Sequence, residues 1–455
     1  NMGCGVSRLE HIYSVPITST EEAKGETAIY RAPKHKEKLM AGFEDAPHIK
    51  TYQDMILNSV KNFGDRPLSG TRVVNPDGTR GPYAWKTYQQ IFELATHLGS
   101  GIEELDLAPL KKEYENHELR FIGIHSKNRE EWLLVDWASV LYGLTVLPAY
   151  DTLGPEAKQF LYEQTNVTTM FLSLDHLDNT IKDTEARKTG KLKHVITFEE
   201  PSKEQKARAE KCGLKVMTLN ELIEVGKKHK KDFRKVTPDS IYTFSYTSGT
   251  TGQPKAAMLS HANMLVVGYW LKTKYKVDHN DVSLSYLPLP HIMERIGFCS
   301  LIQSGASIGF YSGDIMKIRE DIMELKPTLF GSVPRLFNRI YAGMQEKIRA
   351  LTGAKKALAD KAIKTKLENL RRDGSVTHAL YDSLVFKQFR LAMGGRIRIM
   401  LTGSAPLSSE VLDFLRIALC CDFIEAYGMT ETACAGFATN NGELLAGHVG
   451  GPSDC

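Results

Sequence analysis

Short apolar runs alternate with longer amphipathic segments through the first half of the chain. Three runs have the length and composition of buried strands, and the two segments between them have helical spacing or a proline in the first turn. In chain order these are RFIGIHS (120–126), REEWLLVDWASVLYGL (129–144), TVLPAY (145–150), GPEAKQFLYEQT (154–165) and TTMFLSL (168–174). Such a succession predicts βαβ units and a mostly parallel sheet. The predicted fold class is therefore α/β.

The pattern changes after the apolar run IYTFSY (241–246), which predicts another buried strand. A polar segment follows, and Ser260 is a suitable N-cap for the helix predicted after it. The segment combines hydroxyls, glycines and one cation: Thr247, Ser248, Gly249, Thr250, Thr251, Gly252 and Lys255. Hydroxyls, backbone N–H groups and a lysine supply charge-assisted hydrogen bonds to a polyphosphate. The composition favours a phosphate-binding loop, with a polar surface turn as the alternative; the order of residues differs from a Walker A loop.

A charged stretch divides the predicted strands and helices into two groups. Residues 200–235 become rich in charge, with KKHKKDFRK at 227–235, before the apolar pattern resumes. We interpret this stretch as a solvated connection between two lobes, with a subdomain boundary near 235–240. We assign residues 1–50 to an N-terminal extension and residues 51–455 to one large domain that contains both lobes.

The composition favours a globular protein and argues against a nucleic-acid-binding or secreted one. The 455 residues are 42% hydrophobic and 25% charged, so the chain is expected to be globular with a large core. A net charge of +4 is small for this length and argues against a nucleic-acid partner. The seven cysteines are odd in number and scattered, which favours reduced thiols in a cytosol-facing protein that is not secreted.

Two segments bear on membrane association. MGCGVS (2–7) fits the N-myristoylation pattern, with Cys4 as a palmitoylation site beside Gly3; because Asn1 precedes Met2, an accidental match is the alternative. KKALADKAIKTKLENLRR (355–372) predicts a basic amphipathic helix. Such a helix lies on an anionic membrane or, more commonly, packs on its own domain. We expect either a peripheral protein on a cytosol-facing membrane, for example the endoplasmic reticulum, or a cytoplasmic one.

Four motifs in a fixed order resemble those of the adenylate-forming superfamily. They are YTSGTTGQPK (246–255), SYLPLPHIMERIG (285–297), MLTGSAPLSSEVLDFL (400–415) and DFIEAYGMTET (422–432). Further stretches resemble the long-chain acyl-CoA synthetases of that superfamily: SKNREEW (126–132), YDTLGPEA (150–157), GASIGFYSGD (305–314), VPRLFNRIY (333–341) and GHVGGP (447–452). The resemblance covers almost the whole chain and implies the large N-terminal domain of these enzymes.

The resemblance also implies an activity. A long-chain fatty acid, ATP and coenzyme A would react through an acyl-adenylate to give acyl-CoA, AMP and pyrophosphate. It implies catalytic roles for Lys255, His291 and Glu431, and a Mg²⁺ held by Thr247 and Glu431. The residues implied in nucleotide binding are Thr247, Ser248, Gly249, Thr250, Thr251, Gly252, Lys255, Gly403, Ser404, Ala405, Pro406, Glu425, Ala426, Tyr427, Gly428, Met429 and Thr430. Among these, Tyr427 would stack on adenine and Thr430 would contact the α-phosphate.

The roles of His291 and of the helix after Ser260 stay open from the sequence alone. His291 is by itself more typical of a packed or capping histidine than of a ligand. The helix after Ser260, with Met264, Leu265, Val266, Val267, Tyr269 and Trp270, either borders the acyl site or is plain core. Members of the family continue beyond the last motif into a small mobile C-terminal domain, so we expect the sequence to be truncated and to bind ATP better than it turns it over. Alternative functions are a non-catalytic nucleotide- or acyl-binding protein and an aryl- or other acid-CoA ligase.

Overall fold

The computed structural model describes residues 12–17, 28–111, 117–151, 153–247 and 254–455. Its strands are β1 Val15–Pro16, β2 Tyr30–Arg31, β3 Pro67–Val74, β4 Arg80–Thr87, β5 Phe121–His125, β6 Thr145–Ala149, β7 Thr169–Leu172, β8 His194–Thr197, β9 Lys215–Thr218, β10 Ile241–Thr247, β11 Lys255–Ser260, β12 Val282–Ser285, β13 Ser307–Phe310, β14 Leu329–Ser332, β15 Ile399–Thr402, β16 Asp422–Tyr427, β17 Phe437–Ala438 and β18 Gly451–Pro452.

The helices complete the βαβ pattern. They are α1 Tyr52–Phe63, α2 Tyr88–Glu104, α3 Glu130–Leu141, α4 Pro155–Thr165, α5 Leu177–Glu185, α6 Lys203–Lys211, α7 Leu219–Lys228, α8 His261–Tyr275, α9 Ile292–Ile302, α10 Ile318–Leu325, α11 Pro334–Arg349, α12 Gly353–Asp373, α13 Ala379–Tyr381, α14 Lys387–Ala392 and α15 Ser409–Leu419. Single 3₁₀ turns occur at Pro33–His35, Leu174–His176, Ile315–Lys317 and Thr430–Thr432, and a π-helical turn at Asp382–Phe386.

Two sheets carry most of these strands. The first has the order β11-β10-β6-β5-β7-β8-β9 and is parallel except for the β10–β11 hairpin. The second has the order β18-β17-β16-β15-β14-β12-β13-β3-β4, parallel in its centre and antiparallel at both ends. The prediction of an α/β fold with mostly parallel βαβ units is confirmed.

Helix α3 lies between the two sheets. It contacts β5 and β6 of the first sheet and β3 of the second. Every residue from Trp132 to Leu141 is buried, as expected for a helix that is covered on all sides. Its one acid in that run, Asp136, pairs with Arg295 of α9 at 3.2 Å. A buried charge of this kind requires a partner, so α3 and α9 are tied together as well as packed.

The predicted elements between residues 120 and 174 are confirmed as β5, α3, β6, α4 and β7. Ser260 caps α8 as predicted, because its side chain accepts a hydrogen bond from the backbone N–H of Asn263. The sequence reasoning missed β11, which pairs antiparallel with β10. The predicted boundary near 235–240 stays a prediction; that segment connects α7 to β10.

The basic segment 355–372 forms helix α12, which packs on α15. Ala359, Ala362 and Leu370 are buried in this contact region. The apolar stripe therefore packs on its own domain, which was the commoner of the two alternatives. Among the residues that the structure describes, no helix is both long and apolar enough to span a bilayer. The six cysteines of the described ranges are free thiols.

Candidate functional site

The β10–β11 hairpin brings the two ends of the predicted phosphate loop together. Thr247 is the last residue of β10 and pairs with Lys255, the first residue of β11. The Thr247 hydroxyl donates a hydrogen bond of 3.4 Å to the backbone carbonyl of Lys255. The side chain of Lys255 is exposed. Ser248, Gly249, Thr250, Thr251 and Gly252 lie outside the described residues.

The second half of the predicted site lies where β15 and β16 end. These neighbouring strands run parallel with Thr402 opposite Glu425, so their following loops leave the same edge of the sheet. Ser404, Ala405, Pro406, Tyr427, Gly428, Met429 and Glu431 are exposed there. In α/β proteins ligands bind outside the carboxyl ends of parallel strands. The sheet therefore presents the two predicted adenosine-side motifs side by side to solvent.

Close backbone contacts fix the shape of these two loops. A Cβ on Gly428 would lie 2.2 Å from the carbonyl oxygen of Cys434, and one on Gly403 would lie 3.2 Å from that of Ala426. Ser404 has φ +71°, in the left-handed region that side chains other than glycine seldom adopt. Strained conformations of this kind are concentrated at functional sites.

The hairpin and the β16 loop meet. Strand β11 contacts the 3₁₀ turn Thr430–Thr432, which brings the strand headed by Lys255 next to the turn that carries Glu431. The turn is held by a hydrogen bond from the backbone N–H of Met429 to the Thr432 hydroxyl, at 3.1 Å. Glu431 is exposed and Thr247 offers a hydroxyl, and oxygen ligands are those that Mg²⁺ prefers. The donor chemistry of these two residues therefore fits the predicted metal.

Tyr427 and Glu425 of β16 face different surroundings. The Tyr427 ring is 52% exposed, with the Phe437 ring tilted beside it at 6.1 Å between centroids. It presents a face on which a base could stack. Glu425 is buried and accepts a hydrogen bond from the backbone N–H of Gly447 at 3.2 Å. Its carboxylate is engaged within the protein rather than aimed at the loop surface.

His291 caps helix α9. Its Nδ1 accepts a hydrogen bond from the backbone N–H of Met293 at 3.2 Å, and burial lowers the pKa of the ring. Met293 lies under the ends of two strands, since its side chain is 4.0 Å from a Cβ placed on Gly331 and 3.9 Å from one on Gly403. The start of α9 thus connects His291 to the loop after β15.

An apolar cavity of about 130 Å³ lies beneath this helix start. It is enclosed by α8, α9 and the strands β12, β14 and β15, with Leu271, Tyr275, Met293, Glu294, Gly297 and Leu401 among its lining residues. Ligand pockets usually measure about 300–1,000 Å³. The cavity must widen, or hold only part of a ligand, if it is to receive a long molecule.

The comparisons with known proteins identify the family. The family model described as AMP-binding enzyme matches residues 59–455. The chain belongs to this family. It is 36% identical over 453 residues to long chain acyl-CoA synthetase 6, peroxisomal, of Arabidopsis thaliana, covering 100% of this chain and 63% of that protein. It is 34% identical over 427 residues to long-chain-fatty-acid–CoA ligase 5 of Rattus norvegicus, covering 93% of this chain and 60% of that protein. The chain therefore spans somewhat over half the length of these relatives.

Solved structures share the fold. The adenylation domain of a carboxylate reductase from Mycobacterium chelonae superposes with a TM-score of 0.67 at 20% identity, over 86% of this chain and 58% of that one. The anthranilate CoA ligase AuaEII superposes with a TM-score of 0.66 at 15% identity, over 89% of this chain and 64% of that one. The predicted likeness to the large domain of adenylate-forming enzymes is confirmed at the level of the fold.

The residues of helix α8 in this AMP-binding family member divide between the core and the cavity. Met264, Leu265, Val267, Tyr269 and Trp270 are buried core side chains, whereas Leu271 and Tyr275, one helical turn apart, line the cavity. Sequence reasoning missed these two, and it missed Glu294. A lone acid in the apolar helix that follows His291 was the available signal for Glu294.

Glu294 is a partly buried acid that lines the apolar cavity. Burial raises the pKa of its carboxyl to about 8, although a hydrogen bond with Ser285 opposes the shift. The group is therefore mostly protonated at neutral pH. A protonated carboxyl adds no negative charge to the cavity. It therefore does not repel an anionic ligand.

The raised pKa of Glu294 predicts a pH-dependent free energy of unfolding. The folded state holds this proton up to about pH 8, whereas the unfolded carboxyl loses it near its ordinary pKa of about 4.3. The contribution of this proton to the free energy of unfolding is then fully present at low pH. It falls as the pH rises toward 8, by on the order of a few kcal/mol. We expect Glu294→Gln to flatten this decline in urea unfolding measured from pH 5 to 9, and Glu368→Gln, at an exposed position of α12, to leave it unchanged. Parallel profiles for Glu294→Gln and the unmodified protein would contradict the prediction.

Proposed function

We propose that this protein activates long-chain fatty acids for transfer to coenzyme A, at the expense of ATP. The main support is the contact between β11, which begins at Lys255, and the turn that carries Glu431. It places the strand that begins with this cation next to the turn that carries this carboxylate, and Met293, which lines the apolar cavity, lies near Gly403 in the loop after β15. The relatives named as long-chain acyl-CoA synthetases and ligases support the choice of substrate.

The reaction requires activation because a carboxylate repels a thiol nucleophile and has no usable leaving group. One carboxylate oxygen attacks the α-phosphorus of ATP, the bond from that phosphorus to the bridging oxygen breaks, and pyrophosphate leaves. The sulfur of coenzyme A then attacks the acyl carbon, and AMP leaves with the electron pair of the broken bond. The first step depends chiefly on positioning and on neutralising phosphate charge.

The described residues supply these functions as follows. Lys255 neutralises charge on the terminal phosphates of ATP, Thr430 binds the α-phosphate, and Tyr427 stacks on the adenine. Thr247 and Glu431 would hold Mg²⁺, which supplies positive charge to phosphate oxygens when bound. His291 remains beside the acyl carboxylate as a neutral ring, because burial lowers its pKa.

The nucleotide site is tested by charge removal. Lys255→Ala and Glu431→Gln are expected to weaken Mg·ATP binding about 10- to 100-fold, because a charge-assisted hydrogen bond contributes about 1.5–3 kcal/mol. Calorimetric titration of Mg·ATP measures binding, and fatty-acid-dependent pyrophosphate release measures the first step. Lys361→Ala and Glu368→Gln change the same residue types at exposed positions of α12 and should bind normally. Unchanged binding in both site variants, or no uptake of Mg·ATP by the unmodified protein, would refute the assignment.

The acyl chain is proposed to enter the cavity beneath α9. A Cβ on Gly297 meets no atom within 4 Å, although the residue lines the cavity, so a side chain there has room to fill it. Each buried CH₂ contributes about 0.8 kcal/mol, which is about fourfold in affinity.

We therefore expect Gly297→Phe to weaken binding of a long-chain fatty acid more than that of an acid several methylenes shorter, with Mg·ATP binding unchanged. Gly343→Phe is the matched control, because Gly343 also has open space around its Cβ but lies on α11 in a separate surface groove. Equal losses for both acids, or equal effects of the two phenylalanines, would exclude this cavity as the acyl site.

We further infer peripheral attachment to a cytosol-facing membrane through acylation of Gly3 and Cys4. One acyl chain binds a membrane marginally, whereas two anchor stably. Helix α12 contributes little to such attachment, since its apolar residues Ala359, Ala362 and Leu370 are buried.

If Gly3 is acylated, we expect labelled myristate to be incorporated into the chain expressed from Met2. Gly3→Ala should abolish the label and move the protein from the membrane pellet to the supernatant, and Gly5→Ala should change neither. An unlabelled parent chain would show that the motif is accidental.

A further inference from the structure

Three metal-binding side chains meet at the carboxyl edge of the first sheet. His125 ends β5, Asp151 follows β6, and His176 lies in the 3₁₀ turn after β7. Strand β5 is central, with β6 on one side and β7 on the other, all parallel. The chain thus changes direction across the sheet at β5. In α/β sheets this switch point is where a crevice forms and ligands bind.

The ligand atoms of these three residues are close together. One nitrogen or oxygen from each lies within 4.8 Å of the other two, and within the described ranges no other group of three His, Cys, Asp or Glu side chains meets this condition. His176 Nε2 is 2.7 Å from Asp151 Oδ1. The rings of His125 and His176 are stacked with centroids 3.7 Å apart and planes 11° from parallel.

His125 carries an unused ligand atom. The side chain is only 4% exposed, and its Nε2 has no hydrogen-bond partner. Buried polar atoms are nearly always paired, so an orphan of this kind requires an explanation. The backbone at Tyr150 forms a hydrogen bond with the ring, which is the arrangement that orients histidines whose other nitrogen binds a metal.

We propose that His125, Asp151 and His176 form a binding site for a divalent transition-metal ion such as Zn²⁺. Two imidazoles and a carboxylate are a ligand set that Zn²⁺ accepts, and three protein ligands leave a fourth position for solvent or another ligand. This site is separate from the nucleotide site and does not depend on the proposed function.

Binding requires a small rearrangement. Lone pairs of two parallel rings point along separate planes, so one ring must tilt before both reach the same ion. His176 can tilt because it lies in a short surface turn, whereas His125 is enclosed. Metal–ligand bonds of about 2.0–2.1 Å bring tetrahedral ligand atoms to about 3.3 Å from one another. The present separations, all within 4.8 Å, reach this value with shifts of up to about 1.5 Å.

The surrounding charges partly cancel. Lys158 and Asp175 act on His125 with opposite signs, and Lys158 is itself paired with Asp183 at 3.5 Å. Ser126, Ser173 and Asp175 border the cluster and also line an open groove of about 660 Å³. An ion can therefore reach the cluster from solvent.

Titration with Co²⁺ and Zn²⁺ on the full chain tests the proposal. We expect one equivalent to bind, with the visible absorption of Co²⁺ held by nitrogen and oxygen and no sulfur-to-metal charge-transfer band. Asp151→Asn and His176→Ala, both at or near the surface, should each lower the affinity at least about tenfold. His279→Ala removes an exposed histidine elsewhere and should leave the affinity unchanged.

Several results would overturn the assignment. These are the absence of stoichiometric binding, a thiolate spectrum, or equal affinity in His176→Ala and the parent chain. His125→Gln supplies a further check if His125→Ala fails to fold, since it keeps a polar side chain but loses the imidazole. A thermal shift with Zn²⁺ in the parent chain that persists in His125→Gln would also contradict the site. Mg·ATP binding measured on the same variants separates a loss of this site from a failure of the nucleotide site.

Discussion

The arrangement of the site depends on the interactions of one buried group, the guanidinium of Arg295. It is 2% exposed and donates hydrogen bonds to the Thr243 hydroxyl at 2.7 Å and to Asp136 at 3.2 Å. It also lies over the rings of Tyr242, at 4.4 Å, and Trp132, at 5.4 Å. Removing a charge from water costs several kcal/mol, and the opposite charge, the hydrogen bonds and the aromatic faces around Arg295 offset that cost in part, although its Nε has no hydrogen-bond partner within the described part of the chain. Arg295 belongs to α9 and its partners come from α3 and β10, so these three elements are held in one relative position.

The two halves of the candidate site extend from elements in this network. Strand β10 continues past Tyr242 and Thr243 to Thr247, and so sets where Lys255 begins β11. Helix α9 carries Met293 in its first turn and is capped by His291. Met293 in turn lies against the ends of β14 and β15. The proposed phosphate site and the proposed acyl site are therefore both attached to elements held by the same buried charge.

The sequence predicted the parts of the fold that periodicity encodes. Alternating apolar runs located β5 to β7 and their helices, and Ser260 located the start of α8. Strand β11 was missed because its six residues include only one that is fully buried, Leu259, so no alternation marks it. The left-handed backbone of Ser404 has no sequence signal, because only the surrounding packing determines it. His125, Asp151 and His176 are separated along the chain, and the strand order alone brings them together.

The common edge of the first sheet limits how strongly its two candidate sites can influence each other. Strand β10 is parallel to β6, so Thr247, at the end of β10, lies at the same edge of the sheet as His125, at the end of β5. Strand β6 lies between β10 and β5. Two strand spacings are about 10 Å. At that distance two unit charges interact by about 0.4 kcal/mol in water and about 1.7 kcal/mol at an effective dielectric of 20. Salt screens charges over about the same length. A metal ion at the proposed histidine site would therefore modulate polyphosphate binding at the proposed nucleotide site, where the direct contacts are assigned to Lys255 and Glu431.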